Sequence, residues 1–260
     1  MPTEPMTLLP SITEQFLCAV REGIVPGYSV VHKFGRNDAV PNGTWAFVDL
    51  LGHTAWPLSA ASTVRVKAGN AADAAAGAGA REVAVQGIVD STFLEETEVL
   101  VPNGASAGVA GSKSFWRVHR AWVSEVGTYG GANTGDVVIE NSAGGTDLIQ
   151  IGADEGQSQF AGFTVPEGKT GYLASVAVTV DGSQPADLRC FVRQAIDVTS
   201  GAGMQAKRLK LFWDGISAPF SFGPKSPAAS VPEKSDIWFE ARAGAGGSAV
   251  SVDFELLIVD

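Results

Sequence analysis

The run GTYGGANTGDVVIENSAGGTDLIQIGADEGQSQFAGFTVPEGKTGYLASVAVTV, from Gly127 to Val180, holds four short segments of alternating apolar and polar residues, separated by Gly, Asn, Asp and Pro. Consecutive antiparallel strands and their turns read this way. In the last segment a period of two sets Tyr172, Val176, Val178 and Val180 on one face, with Ser175 and Thr179 on the other. Ahead of it, Val165-Pro166-Glu167-Gly168-Lys169 reads as a tight turn, because Pro presets one turn dihedral and Gly supplies the positive one.

The pattern continues downstream. Strands are expected over Leu188 to Val198, Gln205 to Trp213 and Ile237 to Ala241, with Leu209, Leu211 and Trp213 alternating with Arg208 and Lys210. In the last segment Val250, Val252, Phe254, Leu256 and Ile258 point one way, and Ser251, Asp253 and Glu255 the other. Phe115 to Val126 reads as a central strand with Trp116, Val118 and Trp122 on one face and Arg117 and His119 on the other. About eight strand candidates between Arg117 and Val259 match the strand number of a jelly roll or a related sandwich.

Upstream, strands are expected at Tyr28 to Phe34, Trp45 to Leu51, Ser62 to Val66, Arg81 to Gly87 and Phe93 to Val101. Asn70 to Ala80, rich in Ala and Gly, reads as a surface loop or hinge. Prolines at positions 2, 5 and 10 make the first residues an extended arm. Ser11-Ile12-Thr13-Glu14 then resembles a capping box for a short helix that Gly23 and Pro26 end. The expected division is 1–27 as arm and helix, 28–126 as an N-terminal β region and 127–260 as a jelly-roll-like C-terminal sandwich. Leu8, Leu9, Ile12, Phe16 and Val20 are the candidate contacts to a neighbouring subunit, against the plainer reading that the helix packs on its own domain.

Composition supports an all-β antiparallel fold. Of 260 residues 45% are apolar and only 18% charged, and the 31 glycines suit many short strands and turns. A formal charge of −10 argues against a nucleic-acid surface, which needs clustered cations. Cys18 and Cys190 lie too far apart in sequence to suggest a metal motif or disulfide framework, and Cys190 reads as a core residue. There is no signal-peptide pattern and no run of about 20 apolar residues. The expectation is a soluble chain made in the cytoplasm, with no membrane partner.

Signals for chemistry are weak. His32, His53 and His119 fall in separate segments with no HxxxH spacing, so no metal site is expected. In Glu95-Glu96-Thr97-Glu98, Glu95 or Glu98 with a second acid is the candidate for glycoside hydrolysis, although such clusters are usually solvated strand faces. Asp154-Glu155 lacks the spacing of a calcium loop, and the glycines from Gly127 to Gly135 lack the lysine of a phosphate loop. Neither catalytic residues nor a cofactor are expected.

Val30-Val31-His32-Lys33-Phe34-Gly35-Arg36-Asn37 resembles the KFGRN segment of structural proteins of tailed bacteriophages, many of them marine. Ala80 to Gly87, Phe115 to Val118, Asn133 to Asp136 and Thr164 to Leu173 resemble further blocks in the same order, covering about residues 28 to 182. The resemblance implies a virion protein assembled in the host cytoplasm and supplies no catalytic residues. The leading expectation is a capsid decoration or cement protein, a homotrimer bracing the major capsid protein. The alternative is a tail, neck or head-fibre component that contacts a host-surface glycan, with Trp56 or Tyr129 as stacking residues. A β-sandwich carbohydrate-active enzyme is the third.

Overall fold

The computed structural model describes residues 14–58, 60–128, 130–182, 184–198, 203, 205–223, 229–244 and 247–260. It opens with helix α1 (Glu14–Arg21) and the long strand β1 (Tyr28–Val40). The helix ends where Gly23 takes φ of 72°, and the amides of Gly23 and Ile24 close on the carbonyls of Val20 and Ala19. After β2 (Ala46–Phe47) the chain leaves to form β3 (Ser62–Ala68), β4 (Ala80–Val89), β5 (Glu95–Leu100), β6 (Ser114–Val126), β7 (Val137–Asn141) and β8 (Asp147–Ile151). It returns through β9 (Gly162–Val165), β10 (Thr170–Asp181), β11 (Ala186–Arg193), β12 (Arg208–Ile216), β13 (Phe220–Phe222), β14 (Ser230–Val231), β15 (Ser235–Ala243) and β16 (Ser248–Val259).

Two sheets form a sandwich. One has the order β1-β16-β10-β13, with β14 also on β10; the other runs β12-β11-β15, and β15 carries both β2 and β9 on its far edge. With β3 to β8 left out, β2 and β9 make one interrupted strand, as do β13 and β14. The strand orders then become 1-8-3-6 and 2-7-4-5, which is a jelly roll. Its core lies between the sheets: Phe254, Leu256 and Ile258 from β16 meet Leu188 and Cys190 from β11 and Ile237 and Phe239 from β15. The five apolar positions expected to align along β16 are all buried there.

The second body is an insertion within the jelly roll's second strand, between its halves β2 and β9. Its six strands have the order β5-β4-β6-β3-β7-β8, and Gly156 to Ser158 bond back to β6, curling the sheet closed. Its core of Val64, Val66, Phe115, Ile139, Leu148 and Ile149 continues into Phe47, Phe160, Phe191 and Trp238. The insertion therefore caps the outer face of the β12-β11-β15 sheet.

Where the insertion joins, the chain is pinched. The Ala161 amide donates to the Val48 carbonyl at 3.0 Å, while Val48 and Ala161 also bond to the backbone of Phe239. Lys33 to Asn37 on β1 clasps this neck. A Cβ on Gly35 would fall inside contact distance of the Ala161 nitrogen and the Val48 oxygen, so only glycine fits. Beside it, buried Asn37 donates to the Phe47 carbonyl at 2.9 Å, and the Phe160 amide donates to the Phe34 carbonyl at 2.9 Å.

Three expectations change. The sheets ignore the division at residue 127: β1 pairs along β16, while β7 and β8 complete the sheet of β3 to β6. Strand pairing is non-local, so a boundary drawn from turn density cannot locate an insertion. On β10 a bulge between Leu173 and Ser175 resets the alternation, so Leu173 enters the core and Tyr172 does not. The small-residue stretch from Asn70 to Ala80 is pinned rather than hinge-like. Asp73, fully buried at its centre, accepts the amides of Ala80, Thr134 and Gly135 at 2.8 to 2.9 Å.

Candidate functional site

Strand β15 sets out the most developed site. Its alternation sends Ile237, Phe239 and Ala241 into the jelly-roll core, and Asp236, Trp238 and Glu240 to the outer face. Because the insertion covers that face, even these polar residues are buried. Asp236 receives a forked ion pair from Arg117 on β6, with Nη2 to Oδ2 at 3.0 Å, and a bond from the Thr164 hydroxyl at 2.7 Å. Arg117 also donates to the carbonyls of Leu58 and Trp116, which uses both ends of the guanidinium.

Next to this bridge the two bodies part and leave a cleft of about 460 Å³. Trp56, Trp116, Trp238 and Phe47 supply aromatic walls, while Arg193, Gln205, Lys207 and Glu240 supply polar edges. The Trp56 ring sits 5.2 Å from Phe160 and 6.2 Å from Trp238, with the Arg117 guanidinium 5.0 Å from its centre. Glu240 accepts the Trp238 indole at 2.8 Å, Arg189 at 2.8 Å and Lys207 at 3.0 Å. Burial works to raise its pKa, but these three donors outweigh it and hold the carboxyl below its ordinary value. An ionised carboxylate held by three donors accepts hydrogen bonds and is a poor proton donor.

A second polar cluster locks the joint from the other side. Buried Lys33 on β1 donates to the His119 carbonyl, Arg120 donates to the His32 carbonyl, and His119 Nε2 donates to Glu95 at 2.6 Å. Desolvation dominates His119 and lowers its pKa, leaving a neutral ring against Phe163. In Glu95 burial opposes ionisation, yet His119, Lys33 and Arg120 bring its pKa below the ordinary value. Lys33 is itself pushed well down by desolvation.

The residues singled out in sequence scatter over these places. Trp56 lines the cleft; Tyr129 lies outside the described residues. Glu95 belongs to the joint through His119, and Glu98 accepts the amides of Ser112 and Lys113, so the two have separate partners. His53 bridges Asp49 and the Asp147 carbonyl. Cys190 sits in the jelly-roll core, where burial pushes its thiol far above the ordinary range. Leu8, Leu9 and Ile12 lie outside the described residues. Val20 is buried within its own chain, and Phe16 meets Tyr28 edge-on at 5.5 Å. Sequence reasoning missed Arg193, Lys207, Trp238 and Glu240 as partners, since they converge from β11, β15 and the segment before β12.

No family model matches the chain, and no curated protein does. Among solved structures it is similar to that of the infectious bursal disease virus Gx strain, at 11% identity over 97% of this chain and 78% of that one, with a TM-score of 0.23. Similar too are T=1 particles derived from infectious bursal virus, at 10% identity, 94% and 74% coverage and a TM-score of 0.22. The VP2 subviral particle of infectious bursal disease virus gives 11% identity, 94% and 77% coverage and a TM-score of 0.22. The jelly-roll assignment rests on this chain's own strand pairing.

Proposed function

We propose that this chain is a non-enzymatic virion structural protein, a decoration or cement protein that braces contacts between major capsid subunits as a homotrimer. One observation carries the reading. The residues by which the chain resembles tailed-phage structural proteins hold the fold together: Lys33, Gly35 and Asn37 clasp the neck, buried Asn133 supports the turn before β7, and Thr164 bonds Asp236. Jelly rolls serve viral shells and lectins alike, so the architecture is compatible with this role and does not by itself assign it. Two sheet edges offer surfaces for association. Leu209 and Phe212 are 52% and 46% exposed on edge strand β12, and Val99 is 51% exposed on edge strand β5.

The test is the copy number of this chain relative to the major shell protein in purified particles, measured by quantitative mass spectrometry. A simple ratio to the shell protein supports decoration. A dozen copies or fewer, on the order of one ring of subunits, moves the chain to the neck or tail. Light scattering of the purified chain checks the trimer.

A further inference from the structure

We propose that the cleft between the two bodies binds an acidic sugar, a pyranose ring that carries a carboxylate. Charge is the first argument. Arg117 is matched by Asp236, and Glu240 is shared by Arg189 and Lys207, whereas Arg193 has no carboxylate partner among the described residues. The cleft is therefore cationic in a chain of formal charge −10, and a small anion is drawn there.

Unused donors are the second argument. Nε of Arg193 and Nε1 of Trp56 are both buried and have no acceptor among the described residues. Buried donors are ordinarily satisfied, so a cleft lined by two unsatisfied ones is matched by an oxygen-rich occupant. A guanidinium suits a carboxylate best because it offers parallel N–H groups. Shape is the third. A space of about 460 Å³ accommodates a small saccharide, and its walls are aromatic while its edges are polar. A pyranose has the same division, with C–H groups on its faces and hydroxyls around its rim. Gln205 stands on the rim, where a ring hydroxyl meets an amide that can donate and accept. A flexible acidic peptide has no such apolar face.

This site does not rest on the virion reading, which copy number tests separately. The experiment is a titration of the full chain, followed by tryptophan fluorescence and calorimetry. The probes are tri-galacturonate, the matching neutral trigalactoside and an acetylated tri-glutamate peptide. Saturable binding of tri-galacturonate is expected, weakened by salt, with the other two probes weaker by about tenfold or more, as loss of a charge-assisted pair or of the ring implies. Arg193→Gln should lose the same factor, with unchanged circular dichroism and unfolding midpoint. Ala206→Trp, at the exposed mouth, should block binding and keeps the test open if Arg193→Gln fails to fold. Absence of saturation at millimolar tri-galacturonate overturns the proposal, as does equal binding of the peptide or the neutral sugar. Normal binding by folded Arg193→Gln or Ala206→Trp overturns it as well.

Discussion

Replacing Arg117 by Met is the sharpest test of how the two bodies are joined. In the native chain Nε lies 3.2 Å from both Asp236 oxygens, Nη2 lies 3.0 Å from one, and Nη1 serves the Leu58 and Trp116 carbonyls at 3.1 and 2.8 Å. Arg117 is 4% exposed and Asp236 fully buried, so solvent cannot replace the lost partner. The Met variant keeps the apolar stem out to about the Nε position but leaves Asp236, among the described residues, with the Thr164 hydroxyl alone. Breaking a buried pair on one side costs about 3–5 kcal/mol, and Asp236→Asn should fall in the same range. The double variant Arg117→Met/Asp236→Leu carries no orphaned charge and should lose less than the sum of the single effects, by about 2 kcal/mol. Urea unfolding should be followed both by tryptophan emission and by far-ultraviolet circular dichroism, since coincident curves show the two cores unfolding together. Single variants within about 1 kcal/mol of the parent, or strict additivity in the double variant, would refute the reasoning.

Gly35→Ala forces a methyl group into the neck and should destabilise by about 3 kcal/mol or more, read as a lower thermal midpoint or lost soluble yield. Asp73→Asn places an amide donor against one of three backbone donors and should cost about 2 kcal/mol, with faster hydrogen exchange at Ala80, Thr134 and Gly135. The histidines predict a stability maximum near their ordinary value of 6.5. His119 has a lowered folded pKa, so the unfolded chain binds more protons and stability falls as pH drops below 6.5; His119→Gln should flatten that limb. For His53 burial is the largest influence and lowers the pKa, but Asp49 and the Asp147 carbonyl raise it overall. Its contribution is complete below 6.5 and is lost as pH rises through the folded pKa, so His53→Gln should flatten the alkaline limb in urea titrations across pH.

Strand character was legible wherever one face alone is buried. The alternation in Val250 to Ile258 names the core face of β16 correctly, and the run from Gly127 to Val180 does contain four strands, β7 to β10. Partnership was not legible, because nothing local tells β1 that it will lie along β16, or β7 that it belongs with β3. Bulges defeat the same reading, as at Leu173 to Ser175, where one extra residue resets the face. Of the cleft's lining, Trp56 alone is singled out in the sequence as a stacking residue. Trp238 lies unmarked within the expected strand Ile237 to Ala241, and its place in the cleft follows from an insertion arriving on the outside of β15. Asp73 was hidden by its neighbours: in an Ala- and Gly-rich run a lone carboxylate reads as solvated, although here it organises three backbone amides.

The pinched neck makes the inserted body a cassette. Val48 and Ala161 bond directly across the neck, so entry and exit need no linker to bring them together. Any folded unit whose two ends lie side by side can be spliced at this point without altering the order of the eight jelly-roll strands. The jelly-roll surface sets two conditions on the guest: an apolar face to cover Phe191 and Trp238, and a cation to meet Asp236. A platform with a fixed socket and an exchangeable head is what a display scaffold requires.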